Sequence, residues 1–468
     1  GVLLITRDPP APPPPAPGQP PIVAGNPAEG VEVLLSVWDD NTALGLHGHV
    51  DLGTGIRTAL GQIVADELDL AMGQVDMVLG DTARAPNQGP TIASASIQIH
   101  AVPLRQAAAQ ARAWLLAEAA RHLQAPVESL MVQDGQVRVA GEDTRMVNYG
   151  TLLQGRRIEL RLDPSSPVKA VADYRVVGQS QPRVDIPAKA WGEAVFVHDM
   201  RVPGMLHGRV VRPPYAGADH GDFIGNTLES VDERSIAHIP GIRAVVVIRD
   251  FVGIVAEREE QAQAACEALV VNWKPWPGMR PLGDLAQALR DNPSKPRQLV
   301  DEGNVDHALA GASQMLERTY VWPYQMHASI GPSCAVADWL GEGTSPVLRV
   351  YAGTQNPHVL RADLARLMGL ADVSVDVVRM EAAGCYGRNC ADDVAADAAL
   401  LARAVGAPVR VQLTREQEHL WEPKGAAQLM EVRGGLTEQG SIAAYDFRSA
   451  YPSNAAPTLA LLLTRTIE

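Results

Sequence analysis

Four cysteines in 468 residues (Cys266, Cys334, Cys385 and Cys390) are too few to staple a chain of this size, and no two form a Cys-x-x-Cys pair. Cys385 and Cys390 keep the x4 spacing that opens a plant-type iron–sulfur motif, but Asp393 stands at the third ligand position. The chain is therefore expected to carry no cluster of its own. No concentration of Lys and Arg interrupts a formal net charge of -14, which argues against a nucleic-acid partner, since that requires a basic face. No apolar run approaches the ~18 residues of a membrane span. Residues 1–5 are too short for the apolar region of a signal peptide, though they match the remnant of one. The compartment is left open between the cytoplasm, the periplasm and the periphery of an inner membrane.

Two ligand-binding patterns begin and do not finish. Gly53-Thr54-Gly55 starts like a dinucleotide fingerprint, yet Thr58 stands where the third glycine belongs. His47 and His49 share one face of an expected strand with no third ligand at a recognisable spacing, so they are read as strand residues rather than metal ligands.

What is present suits a globular α+β protein: 46% apolar residues, 20% charged, and length for three or more domains. Residues 1–30 read as a Pro-rich surface segment. Residues 31–165 read as an α+β domain, with strands at 31–38, 44–52 and 75–79 and helices at 57–70 and 104–123. A Pro-bearing linker at 166–182 precedes a small mixed unit at 183–275, with Pro-Gly turns at Pro203-Gly204 and Pro240-Gly241. After a connector at 276–314, strands and helices alternate from 315 to 468.

Three loops stand out. Residues 81–96 form a stretch rich in small polar residues, able to offer hydroxyl and backbone donors to a phosphate; an unstructured loop of this length inside a domain is uncommon unless functional. Gly353-Thr354-Gln355-Asn356-Pro357 places an N-cap and a first-turn proline ahead of helical apolar spacing, which sets Gln355 at a helix entrance. Gly384-Cys385-Tyr386-Gly387-Arg388-Asn389 lies between an expected strand at 373–378 and a helix at 392–405. A glycine-bearing turn in that position aims backbone N–H groups at one spot, suited to an oxyanion or a polar cofactor edge. An ordinary strand-to-helix turn is the other reading of the same residues.

Taken together, these residues resemble the molybdenum-binding subunit of the xanthine oxidase, or molybdenum hydroxylase, family. The likeness is greatest to its isoquinoline oxidoreductase and nicotinate dehydrogenase branch, with the membrane-bound aldehyde dehydrogenases nearby. Gly353, Thr354 and Gln355 resemble the family's Thr-Gln-Asn turn, whose Gln donates a hydrogen bond to a molybdenum oxygen. Gly384, Cys385, Tyr386 and Gly387 resemble its Gly-Gly-Phe-Gly loop. Gly53, Thr54 and Gly55, with Thr91, Ala93, Ser94 and Ser96, resemble its pterin- and phosphate-binding segments. Pro187-Ala188-Lys189 and the run from Pro203 to Pro214 resemble its hammerhead domain, which would occupy 183–275, while 31–165 and 315–468 would bind the cofactor, the latter incompletely.

The resemblance implies a molybdopterin cofactor with Mo, of the cytosine dinucleotide form, held by the pterin dithiolene with no protein ligand to the metal. It implies oxidation of an N-heteroaromatic or aldehyde carbon with oxygen from water, and electrons leaving to [2Fe-2S] clusters on a small partner subunit and from there to a cytochrome c or flavin subunit. Thr54 replaces the family's Gln, and no Val-Gly-Glu segment supplies the catalytic carboxylate. The chain thus resembles the first part of the molybdenum-binding polypeptide, and a second polypeptide is expected to bring the Glu. A non-catalytic cofactor-binding or assembly subunit is the alternative.

Overall fold

A computed structural model describes residues 1–9, 31–215, 222–276, 278–279, 281–452 and 457–467, and the Pro-rich stretch at 10–30 lies outside the described residues. Two large sheets carry the architecture, each over its own apolar core. The first has five strands in the order Val75–Leu79, Ala43–His47, Glu32–Trp38, Val2–Arg7 and Arg157–Arg161. Helices Ile56–Leu68 and Ala101–Leu123 bury Leu60, Val64, Leu104 and Leu115 in the core that holds Leu3, Ile5 and Leu35. Removing such surface from water stabilises by about 25 cal/mol per Å².

The strand Val2–Arg7 departs from the expectation of a surface segment over 1–30. Val2, Leu3 and Ile5 are buried, with Glu32–Trp38 antiparallel on one side and Arg157–Arg161 parallel on the other. The run VLLITR suits a strand covered on both faces. Its parallel partner is remote in sequence, so no local pattern points to the pairing.

The second sheet runs Ile242–Ile248, Phe251–Ala256, Leu206–Val211, Val409–Gln412, Cys334–Trp339, Leu348–Ala352, Val375–Arg379. It crosses the expected boundary at 275, because Leu206–Val211 pairs in parallel with Val409–Gln412. One core joins Val210, Phe251 and Val255 to Val350, Leu364, Val394 and Leu401. Helix Ala391–Val405 lies across this sheet, buried over most of its length, and stops at Gly406 in the left-handed conformation that glycine tolerates. The architecture is α+β with several sheets, as the sequence pattern implies.

A third sheet, Gln314–Trp322, Gln428–Leu436 and Ile442–Ala450, stands to one side. The connector ahead of it contains helices Leu285–Asp291 and Val305–Ala310, whose first turns are capped by the side chains of Asp284 and Asn304. The two large sheets meet where the loop after Val75–Leu79 reaches the edge strand Val375–Arg379. Buried Thr82 donates its N–H to the Val377 carbonyl at 3.1 Å, and its hydroxyl accepts the Val377 N–H at 2.8 Å. That stitch places residues 81–96 against the turn at 353–357.

Candidate cofactor site

Helix Pro357–Met368 follows Asn356, with Pro357 at its first position, as the sequence predicts. The cap itself differs: the Asn356 side chain makes no capping bond, and the Asn356 N–H donates to the Thr354 hydroxyl at 2.9 Å. Thr354 is buried and donates that hydroxyl's proton to Asp392. Gly353 lies so close to the next strand end that a Cβ there would sit 2.3 Å from Ala382 Cβ. The turn is thus pinned inward on both sides of Gln355, which stays half-buried at the surface.

Two separate segments converge on Gln355. Its backbone carbonyl accepts the Thr91 N–H at 3.0 Å, its Nε2 points to the Thr91 carbonyl at 3.5 Å, and its Oε1 accepts from the Cys385 thiol at 2.9 Å. Thr91 is fixed in turn, since its hydroxyl accepts the Val50 N–H at 3.0 Å. The Cys385 thiol also contacts the Gly387 carbonyl, and burial pushes its pKa up to about 11, so it keeps its proton at neutral pH.

The loop around Cys385 is tightly constrained. Gly384 and Gly387 have φ of 102° and 123°, and a Cβ on Gly387 would meet the His327 ring at 2.4 Å. Tyr386 is 60% exposed and holds φ 56°, an unusual conformation for a bulky residue. Asn389 closes the loop: Nδ2 donates to the Gly384 carbonyl and Ser329 hydroxyl, both at 3.3 Å, while Oδ1 accepts the Ala391 N–H at 3.0 Å.

The loops at 51–55 and 86–96 are held by different means. Asp51 accepts N–H groups from Gly53 at 2.8 Å, Gly55 at 3.3 Å and Arg57 at 3.0 Å, which occupies the entrance of helix Ile56–Leu68 with the chain's own carboxylate. The strand expected over 44–52 ends at His47, because the chain then leaves the sheet to pack on residues 86–88. Buried His49 ties the second loop, with Nε2 donating to the Gln88 carbonyl at 3.2 Å and Nδ1 accepting from Ser96 at 2.7 Å. Its ring packs against those of His47 and His100. Burial drives His47 down to about 3 and His49 to about 4, so both are neutral.

Thr54, Ala93 and Ser94 are exposed, and among the described residues no hydrogen bond ties them to the Gln355 group. Ala93 and Ser94 nevertheless hold φ of 57° and 53°, a strained pair of the sort found at functional loops. An ion-pair relay spans the gap: Arg183 donates to the Gly53 carbonyl at 3.0 Å and pairs with Asp185, which pairs with Lys189, which pairs with Glu381. The hydrogen bonds from Arg183 hold the Asp185 carboxyl well below the usual range. Sequence reading passed over Arg183 and Asp392, and took in Asp51 and Asn389 only as members of their loops, without a role of their own. Only Asp51 left a local signal, an acid just ahead of a helix.

The donor set fits a group that presents oxygens and brings its own metal ligands. Cys385 fixes the Gln355 amide so that Nε2 is its remaining donor, and the 3.5 Å contact to Thr91 is long enough to yield to a better acceptor. The thiol is protonated, and among the described residues no group of three His, Cys, Asp or Glu side chains could hold a metal ion.

Residues 290–466 match one family described as a molybdopterin cofactor-binding domain, and residues 16–199 match another of the same description. The chain is 62% identical over 437 residues to a nicotinate dehydrogenase subunit of Pseudomonas putida, covering 93% of this chain and 36% of that one. It is 26% identical to the beta chain of isoquinoline 1-oxidoreductase of Brevundimonas diminuta, covering 90% and 60% respectively. It is also 26% identical to a membrane-bound aldehyde dehydrogenase of Gluconacetobacter polyoxogenes, covering 86% and 52%. The chain carries molybdopterin cofactor-binding domains of the xanthine oxidase family and spans between about a third and three fifths of these relatives' lengths. Among the described residues, no helix is long and apolar enough to cross a membrane.

Proposed function

We propose that this chain forms the cofactor-holding wall of an oxidoreductase that hydroxylates an electron-poor carbon of an N-heteroaromatic acid such as nicotinate. The observation that carries this reading is the meeting of Gln355, Thr91 and Cys385 from three segments. When bound, a molybdenum–pterin group of the cytosine dinucleotide form supplies two-electron oxidation with oxygen from water. Gln355 Nε2 donates to one of its oxygens, and the neutral Cys385 thiol keeps the amide from turning over. Gly353 and residues 384–387 form the rest of that wall, while Thr54, Thr91, Ala93, Ser94 and Ser96 would face the pterin and its phosphates, with Gly53 and Gly55 shaping the first loop and their N–H groups held by Asp51.

The proton acceptor comes from polypeptide outside this chain. Asp392 is buried, takes the Thr354 hydroxyl and lies 3.8 Å from Arg388; Glu381 is shared by Lys189 and Arg379. Neither is a free base. The rest of the subunit supplies the Glu, and [2Fe-2S] clusters on a small partner subunit take the electrons, passing them to a cytochrome c or flavin subunit. Identity of 62% to a nicotinate dehydrogenase subunit supports the N-heteroaromatic class, and the 26% identity to an aldehyde dehydrogenase makes aldehydes the second choice.

Purification with its co-purifying chains, metal analysis, nucleotide release and dye-linked oxidation of nicotinate against an aldehyde test the reading together. Molybdenum bound without turnover of either substrate would favour the non-catalytic assembly role. Gln355→Ala is expected to lower kcat about 100-fold with molybdenum content retained; full turnover in that variant would sink the assignment of Gln355.

A further inference from the structure

The sheet Gln314–Trp322, Gln428–Leu436, Ile442–Ala450 has two unlike faces. Its antiparallel register aligns Leu316, Gly434 and Tyr445 in one row, Arg318, Val432 and Phe447 in the next, and Tyr320, Met430 and Ser449 in a third. Alternation puts these rows on one side. The other side carries Leu429 and Ala450 under helix Leu285–Asp291, and Gly435 against Leu309 of helix Val305–Ala310. Nothing among the described residues plays that part on the first side. Leu316, Tyr320, Trp322, Tyr445 and Phe447 are between 50% and 62% exposed there, with Tyr445 and Phe447 stacked at 6.5 Å.

Such a face is unusual in a chain with only four Phe, eight Trp and nine Tyr. Strand Gln314–Trp322 is exposed along its whole length, and among the described residues it pairs on one side only, an open edge that natural proteins seldom leave uncovered.

We propose that this face is the seat of the remaining length of the subunit, a polypeptide, continuous with this chain or separate, that covers these five side chains with apolar residues of its own. The inference rests on the proposed function. Nearly two thirds of the 62%-identical relative lies outside the part this chain matches, a length sufficient for a large body to seat against this one. The face also leads into the site: the bridge between Gln325 and Gly425 continues the sheet to His327, whose Nδ1 lies 3.2 Å from the Tyr386 carbonyl and whose ring backs Gly387. A body seated there stands beside the loop where a base is lacking. A second copy fits less well, since each copy carries a formal charge of -14.

The test is co-expression of this chain with a tagged polypeptide comprising the unmatched part of that relative. The pieces are expected to co-purify, with hydrogen exchange slowed at 314–322 and 442–450. Trp322→Glu combined with Phe447→Glu is expected to weaken association about 30-fold or more, while Val171→Glu, at an exposed site in the linker, binds like the parent. The paired variant is expected to keep the parent's melting temperature, because both side chains are half-exposed. Parent-like binding by the paired variant overturns the proposal, as does failure of the parent pieces to associate. So does a dimer of the parent chain alone that the same substitutions abolish. Metal analysis separates the two readings. Variant-sensitive assembly without molybdenum keeps the docking face and removes the function; a molybdenum-loaded, active complex indifferent to the substitutions does the reverse.

Discussion

The turns at 51–55 and 353–356 both bring glycine to a helix entrance, and they use their polar groups in opposite ways. In the first, Asp51 takes the N–H groups of Gly53, Gly55 and Arg57, so helix Ile56–Leu68 begins with its own anion in place. In the second, Thr354 takes the Asn356 N–H and turns inward to Asp392, leaving the Gln355 amide facing outward with Cys385 fixing its orientation. Glycines at a helix start do not by themselves make an anion site. What matters is which acceptor already occupies the amides.

The contrast breaks most readily at Gly353. Gly353→Ala drives a methyl group to 2.3 Å from Ala382 Cβ and is expected to cost about 3 kcal/mol in a thermal or denaturant melt. An unchanged melting temperature would show that the second turn is not seated as closely as that contact implies.

Acidification is expected to separate the regions next. The His47 and His49 rings stay neutral in the folded chain down to about pH 3 and 4, while the unfolded chain protonates them from about pH 6.5. Stability therefore falls as pH drops through that window, by up to about 1.4 kcal/mol per pH unit for each ring. Because His49 anchors Gln88 and Ser96, amides at 86–96 should exchange faster in acid before those at 353–357, and simultaneous loosening would argue against separate anchoring. A smaller effect is expected for Asp51→Ala, about 1–2 kcal/mol in stability. Tighter cofactor retention in that variant would mean the freed amides bind the ligand, reversing the comparison. Cys385→Ala is expected to change least, under about 1 kcal/mol, with kcat falling less than tenfold. A fall as large as that of Gln355→Ala would give the thiol a direct part in the reaction.

Elements with their own period were legible from sequence. Helix Ala391–Val405 with Gly406, strand Ile242–Ile248, and Pro357 at a helix start each follow from local spacing and cap chemistry. The buried strand Val2–Arg7 and the seven-stranded sheet were not, because both depend on parallel partners distant in sequence. At the site, the loops at 81–96, 353–357 and 384–389 were visible as separate turns. Their convergence was implied by the family resemblance alone, since Thr91, Gln355 and Cys385 carry no local mark of one another. Asp392 reads as a first-turn acid on a helix, and only its bond to Thr354 reveals it as the anchor of the turn.

The Thr91–Gln355 contact spans 264 residues of chain. At ~5–20 residues per second of translation, the loop bearing Thr91 is complete on the order of tens of seconds before Gln355 exists. For that interval the site is half-built and open on the side that Gln355 later closes. The order of synthesis, and not stability alone, thus sets when these two segments can meet.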